Sequence, residues 1–230
     1  MKIAAIIPAR KGSKRIPNKN LLDFFGEHYI SKIIKNIANT SHNIDIFVST
    51  DDKKLIDIAR THKVSILERN DLFCDDFSTV VDLVKWHYQN DLKEYDLIYQ
   101  TFCHSICIDS NTIDSSISKI LKSSRNFLMS IAKLDGPVEW TFKIHDNKLI
   151  PNFPNKQNIR SQDLAFSFID AGQFYIYKSK WFDENESNNY ELSDWMTIKQ
   201  FQSNDLDERE DIEKLEVNYK ISKSILHNLA

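Results

Sequence analysis

Glycine is scarce in this chain, with four residues in 230. A Walker A phosphate loop needs a second glycine followed directly by Lys and then Ser or Thr, and none of the four is followed by lysine. Cysteine is scarcer still. Cys74, Cys103 and Cys107 are odd in number and form no Cys-x-x-Cys pair, which argues against a disulfide framework and a typical zinc site and fits a reducing cytoplasm. Long apolar runs are missing too. The first one is interrupted by Pro8 and Arg10, too early for a signal peptide, and no later run is long enough to span a bilayer, so a soluble protein is expected. An excess of positive charge is also lacking: the formal net charge of −3 argues against a general nucleic-acid binder.

What the chain does have is local. Arg10, Lys11, Lys14, Arg15 and Lys19 crowd five cations into ten positions directly after the apolar run Ile3-Ala4-Ala5-Ile6-Ile7. That run reads as a buried first strand, and ligands of open α/β sheets bind beyond the carboxyl ends of strands. Gly12 and Ser13 let the backbone turn and aim N–H groups at an anion, so the loop reads as a phosphate grip. Further strand-like runs follow at Asp45–Val48, Val64–Leu67, Asp96–Tyr99 and Phe127–Ile131. Between them, helical spacing links Tyr29, Ile33, Ile34 and Ile37, then Leu55, Ile56 and Ala59, then Val80, Val81 and Val84, and later Ile113, Ile117 and Ile120. Such alternation predicts one α/β domain over 1–230 with a doubly wound, mostly parallel sheet. From about 135 to 170 prolines and aromatics break the pattern, which predicts an inserted arm. Asp183 to Asn189 reads as a flexible polar loop.

A triphosphate grip calls for a cation, and Mg²⁺ takes oxygen ligands. In extended Asp205-Leu206-Asp207, two carboxylates face one way and Leu206 faces the core. Asp207-Glu208-Arg209-Glu210 also reads as a capping box for a helix carrying Ile212, Leu215 and Tyr219. Asp51 and Asp52 are expected at a helix N-cap, as are Ser78 and Thr79. His104, between Cys103 and Cys107, is expected at the surface beside buried cysteines. No Ser-His-Asp or Cys-His nucleophile is evident, so no covalent intermediate is expected.

Ile7-Pro8-Ala9-Arg10, Gly12-Ser13-Lys14-Arg15-Ile16-Pro17 and Lys19-Asn20 resemble the signature loop of the CMP-sialate synthetase family of cytidylyltransferases. Arg160-Ser161-Gln162-Asp163-Leu164, taken with Asp170-Ala171-Gly172-Gln173-Phe174-Tyr175, is similar to the pseudaminic acid cytidylyltransferase branch. The likeness runs from Lys2 to about Tyr219. It implies a Rossmann-like sheet of the nucleotide-diphospho-sugar transferase type, the arm at about 135–170 serving homodimerisation, and activation of an acidic nine-carbon 2-keto sugar with CTP and Mg²⁺. Sialic, legionaminic and 3-deoxy-octulosonic acids are alternative sugars. A metal-dependent glycosyltransferase and a non-catalytic binding protein are alternatives of other classes.

By the same resemblance, Arg10, Gly12, Ser13, Lys14, Lys19, Asn20, Arg69 and Thr101 hold the nucleotide, with Lys19, Arg10 and Asp207 closest to the chemistry. Asp205 and Asp207 hold the metal. Arg160, Gln162, Asp163, Asp170, Gln173 and Tyr175 take the sugar, since an arginine fork suits a carboxylate and amides suit hydroxyls. Gln173 to Tyr177 also reads as a strand bulged at its glycine, and Arg160 with Asp163 as a surface ion pair. The chain departs from the family at Tyr99-Gln100-Thr101-Phe102-Cys103-His104-Ser105, where relatives follow the threonine with a small residue and a proline. The pocket wall there is expected to differ.

Overall fold

The computed structural model describes residues 1–70, 73, 78–184 and 190–228, with side chains through 225. Cys74 and residues 185–189 of the expected polar loop lie outside the described residues. Strands β1 (Ile3–Pro8), β2 (Asp23–Phe24) and β3 (Glu27–His28) precede α1 (Tyr29–Ala38). Next come β4 (Ile44–Thr50), α2 (Lys53–Thr61), β5 (Ser65–Glu68), α3 (Val80–Asn90), β6 (Leu97–Thr101), α4 (Ser110–Lys122) and β7 (Phe127–Lys133). The chain then makes a hairpin, β8 (Phe142–His145) and β9 (Lys148–Pro151), and returns through β10 (Phe168–Lys178), α5 (Ser179–Asp183), β11 (Asp194–Ile198) and α6 (Arg209–Asn228).

Seven strands form one sheet in the order β11-β7-β10-β6-β1-β4-β5. All run parallel except β10, which pairs antiparallel with both β6 and β7. Central β1 is buried along its whole length, because helices cover both faces of a parallel sheet and leave no polar side. One core layer joins Ile30, Ile33, Ile113 and Ile117 of α1 and α4 to the strands, and the opposite layer joins Val84 and Tyr88 of α3 to Phe127, Tyr177 and Trp181. A smaller cluster of Ile16, Phe24, Tyr29, Ile106, Leu206 and Leu215 sits at one end. It packs the first loop against the last helix.

The expected strands appear within two residues of their predicted bounds, and the positions picked out by helical spacing fall within α1 to α4. Asp52 caps α2, accepting from the Lys54 N–H at 2.9 Å, and Thr79 caps α3, accepting from the Asp82 N–H at 3.1 Å. Strand β11 carries no expectation from sequence, because its exposed Trp195 and half-exposed neighbours give a weak pattern on an edge. The bulge expected at Gly172 is present: the pairing of β10 with β7 shifts between Asp170 and Tyr175, and Gly172 takes φ +61°.

Candidate functional site

The cationic loop leaves β1 and is pinned before any ligand arrives. The Ala9 N–H donates to the Ser49 carbonyl at 2.9 Å and the Lys11 N–H to Asp51 Oδ1 at 2.6 Å. The Asn20 amide donates to the Arg10 carbonyl at 3.0 Å, and Ile16 anchors the loop in the small apolar cluster. Gly12 at φ +84° makes the turn that other residues rarely adopt. Asp51 is therefore not the helix cap but a tether of the loop. Its neighbour Asp52 does the capping.

This loop forms one wall of a cleft of about 510 Å³. Arg10, Ser13, Lys14, Arg15, Lys19 and Asn20 line it from the loop, Arg69, Ser78 and Val80 from the segment after β5, Phe102 and His104 from the end of β6, and Leu206 and Asp207 from the approach to α6. The amino-terminal cations and a carboxylate from near the other end thus share one wall. Asp207 Oδ1 lies 2.6 Å from the Arg15 guanidinium and 3.7 Å from Lys19 Nζ.

Asp207 is free for this contact because it does not cap α6. The cap falls to Asp211, whose Oδ2 accepts from the Asp207 N–H at 2.9 Å and the Glu208 N–H at 2.7 Å. The Glu208 N–H holds the Asp211 carboxyl below its ordinary pKa. Leu206 is buried as expected, and Asp205 is exposed with Oδ1 accepting from the Leu206 N–H at 2.7 Å. Asp205 does not line the cleft itself. One cleft carboxylate with a second two residues away suits Mg²⁺, which keeps several waters and takes phosphate oxygens besides one or two carboxylates.

The stretch Thr101–Ser105 differs from expectation. Thr101 is buried and its hydroxyl donates to the Gln173 carbonyl at 2.9 Å, so the side chain serves the fold instead of facing the cleft. Gln173 is likewise fully buried, away from any sugar-sized opening, with its amide donating to the Ala171 and Asn204 carbonyls. His104 is buried, not at the surface, and stacks on Phe102 with ring centres 5.3 Å apart. Burial pushes its pKa down to about 4, with Lys19 acting the same way, so the imidazole is neutral. Cys103 and Cys107 are buried and unbridged, and burial pushes both thiols up to about 12. They are inert core residues. The stretch was expected at the pocket wall, and Phe102 and His104 are its residues that line the cleft, just past the carboxyl end of a central strand.

Beyond Phe102 and Val80 lies a second pocket of about 190 Å³, lined also by Gln100, Phe127, Asp170, Tyr175 and Tyr190. Asp170 Oδ2 accepts from the Tyr175 hydroxyl at 2.7 Å, and burial raises the phenol's pKa. Arg160 and Asp163 lie elsewhere. They pair with each other in the arm, Arg160 Nε donating to Asp163 Oδ2 at 2.7 Å, with side chains 71% and 46% exposed. Gln162 lines a groove at the base of that arm with Lys133 and Phe166.

A Ser-His-Asp arrangement exists that the sequence did not reveal. Ser49 Oγ lies 2.8 Å from His87 Nε2, and His87 Nδ1 lies 2.7 Å from Asp91 Oδ2. Ser49 and His87 are fully buried, so no substrate reaches the hydroxyl. The trio ties β4 to α3 beneath the cleft. Among the described residues no group of three or more His, Cys, Asp or Glu side chains could hold a metal, and no helix is long and apolar enough to cross a membrane.

Comparison with known proteins agrees with this geometry. Pseudaminic acid cytidylyltransferase of Campylobacter jejuni subsp. jejuni (strain 81-176) is 29% identical over 232 residues, 96% of this chain and 98% of that protein. CMP-N,N'-diacetyllegionaminic acid synthase of Legionella pneumophila is 38% identical over 97 residues, 40% of this chain and 42% of that one. The solved structure of CMP:2-keto-3-deoxy-manno-octonic acid synthetase complexed with CTP shares the fold, with a TM-score of 0.70 at 17% identity over 94% of this chain and 98% of that one. The profile described as "Cytidylyltransferase" matches residues 4–225. A sheet of nucleotidyltransferase type, a cation-lined cleft at the carboxyl ends of its strands and a profile match over nearly the whole length agree: this chain belongs to the cytidylyltransferase family.

Proposed function

We propose that this enzyme transfers a cytidylyl group from CTP to an acidic nine-carbon 2-keto sugar of the pseudaminic acid kind, releasing pyrophosphate. The observation that carries the reading is the single 510 Å³ cleft lined by Arg10, Lys14, Arg15, Lys19 and Asp207. The sugar's anomeric hydroxyl attacks the α-phosphorus of CTP, a new P–O bond forms, and the α–β bridge breaks with its electron pair leaving on pyrophosphate. The hydroxyl proton passes to solvent. No covalent enzyme intermediate is required, and the two inert cysteines and the sealed Ser49 supply no nucleophile.

Catalysis on this reading is positioning and charge neutralisation. Arg10, Lys14 and Lys19 hold the triphosphate, Gly12 and Ser13 turn the loop's backbone toward it, and Asn20 keeps the loop in shape through its bond to the Arg10 carbonyl. Arg69 closes the opposite wall. Asp207, with Asp205, would hold a Mg²⁺ ion, which when bound neutralises charge on the triphosphate. The second pocket, with Asp170 and Tyr175, takes part of the sugar. The names of the curated relatives support an acidic sugar as acceptor.

The protein works as a homodimer on the same reading. Trp140, Phe142, Ile144, Leu149, Phe153, Phe166, Phe168 and Ile169 are exposed apolar side chains concentrated in and beside the arm, which a second copy would cover. Sedimentation velocity tests this. A cytoplasmic location suits the two unbridged cysteines. The central test is pyrophosphate release from CTP and Mg²⁺ with pseudaminic, legionaminic, neuraminic and 3-deoxy-octulosonic acids in turn. Release with one of them is expected, and no release with any would overturn the reading.

A further inference from the structure

Three stretches that form the cleft or border on it come from distant parts of the chain, and all three bond to one buried residue. The carbonyl of Gln173 accepts from the Thr101 hydroxyl at 2.9 Å and the Ser105 hydroxyl at 3.0 Å, bracketing the turn that sends Phe102 and His104 into the cleft. Its side-chain amide donates to the Ala171 carbonyl at 2.9 Å, inside the β10 bulge that follows Asp170. The same amide donates to the Asn204 carbonyl at 2.6 Å, immediately before Asp205-Leu206-Asp207.

That last bond matters most, because residues 203–206 have no regular secondary structure and no ladder to fix them. Three side chains hold the stretch from within: Leu206 in the small apolar cluster, Asn204 bonded to Asn218 of α6 at 2.6 Å, and Gln173 from the sheet. The Gln173 bond ties this stretch to the bulged strand β10. Both of its amide hydrogens are spent on carbonyls, so an apolar residue there would leave the Asn204 and Ala171 carbonyls buried and unpaired.

We infer that Gln173 is a positioning residue: its amide clamps the Asp205–Asp207 stretch to the sheet so that Asp207 faces the cationic loop. It touches no substrate and acts through Asp207. The inference rests on the reading of the cleft as the CTP site.

The test is a double-mutant cycle on CTP binding by calorimetry with Mg²⁺ present, using Gln173→Met, Asp207→Asn and the double variant, with thermal unfolding measured on each. Each single variant is expected to weaken binding roughly 10-fold, and the double variant to be no weaker than the poorer single, since coupled residues are not additive. Gln173→Met is expected to lower the unfolding temperature in either case, and losses that multiply to roughly 100-fold, as independent sites give, would overturn the inference. Should Gln173→Met not fold, Asn218→Ala releases the same stretch from its other side and is read in the same cycle, with the same two outcomes. Wild-type protein that binds no CTP would overturn both this inference and the functional reading.

Discussion

Two regions of this molecule carry polar motifs of similar appearance, and they are built differently. The loop at residues 9–20 is tethered by three hydrogen bonds to the end of β4 and to itself, and its cations meet Asp207 across a common cleft. The segment Arg160–Asp163 lies in an exposed arm, its arginine paired with its own aspartate three residues away. A single chain therefore brings the cationic loop and Asp207 together in one cleft. Its arm keeps charge and apolar surface turned outward.

Lys19→Ala is the most damaging expected change: removing a cation aimed at the triphosphate costs about 10²–10³-fold in kcat, read by pyrophosphate release, with the circular dichroism spectrum unchanged. Asp207→Ala should fall nearly as far and also leave the fold intact. Retained turnover in both variants would abolish the contrast with the arm. Asp51→Ala removes the acceptor for the Lys11 N–H and should raise the KM for CTP by roughly 3–10-fold, corresponding to about 1 kcal/mol, while kcat holds. Arg160→Ala should leave CTP affinity unchanged and shift stability by less than about 1 kcal/mol, as exposed ion pairs do. Calorimetry showing lost CTP binding in that variant would erase the division between the two regions.

A separate expectation concerns pH dependence. Burial holds the His87 and His104 pKa values below the usual 6.5, His104 at about 4. An unfolded chain thus binds protons that the folded one refuses. Stability from this source is complete above pH 6.5 and declines as pH falls toward 4. Urea midpoints measured from pH 7.5 to 4.5 should trace that decline, and His87→Gln should flatten part of it. A flat wild-type profile would mean that these imidazoles are not held neutral.

The sequence made the cationic loop legible because its signals are local: an unbroken apolar strand, a glycine where the loop turns, and cations crowded behind it. Asp207 also read as a cleft residue, whereas Asp205, expected on the same side, does not line the cleft. Residues whose roles depend on distant partners were not legible. Gln173 and Thr101 read as ligand contacts, yet they bond to one another across 72 positions. His104 read as a surface residue because its burial depends on contacts invisible in sequence, the stacking of Phe102 and a hydrogen bond with the Gly172 backbone in the bulge. Ser49, His87 and Asp91 gave no warning of their alignment, because His87 lies on a helix, Asp91 just past its end, and Ser49 on a strand 38 residues before His87.

The excursion between β7 and β10 leaves and rejoins the sheet at Lys133 and Phe168, which are paired neighbours across two adjacent strands. Both attachment points are already stitched together, so the length of what hangs between them is invisible to the sheet. The arm is in effect a detachable cassette: trimming or exchanging it should leave every strand register and the floor of the cleft where they are.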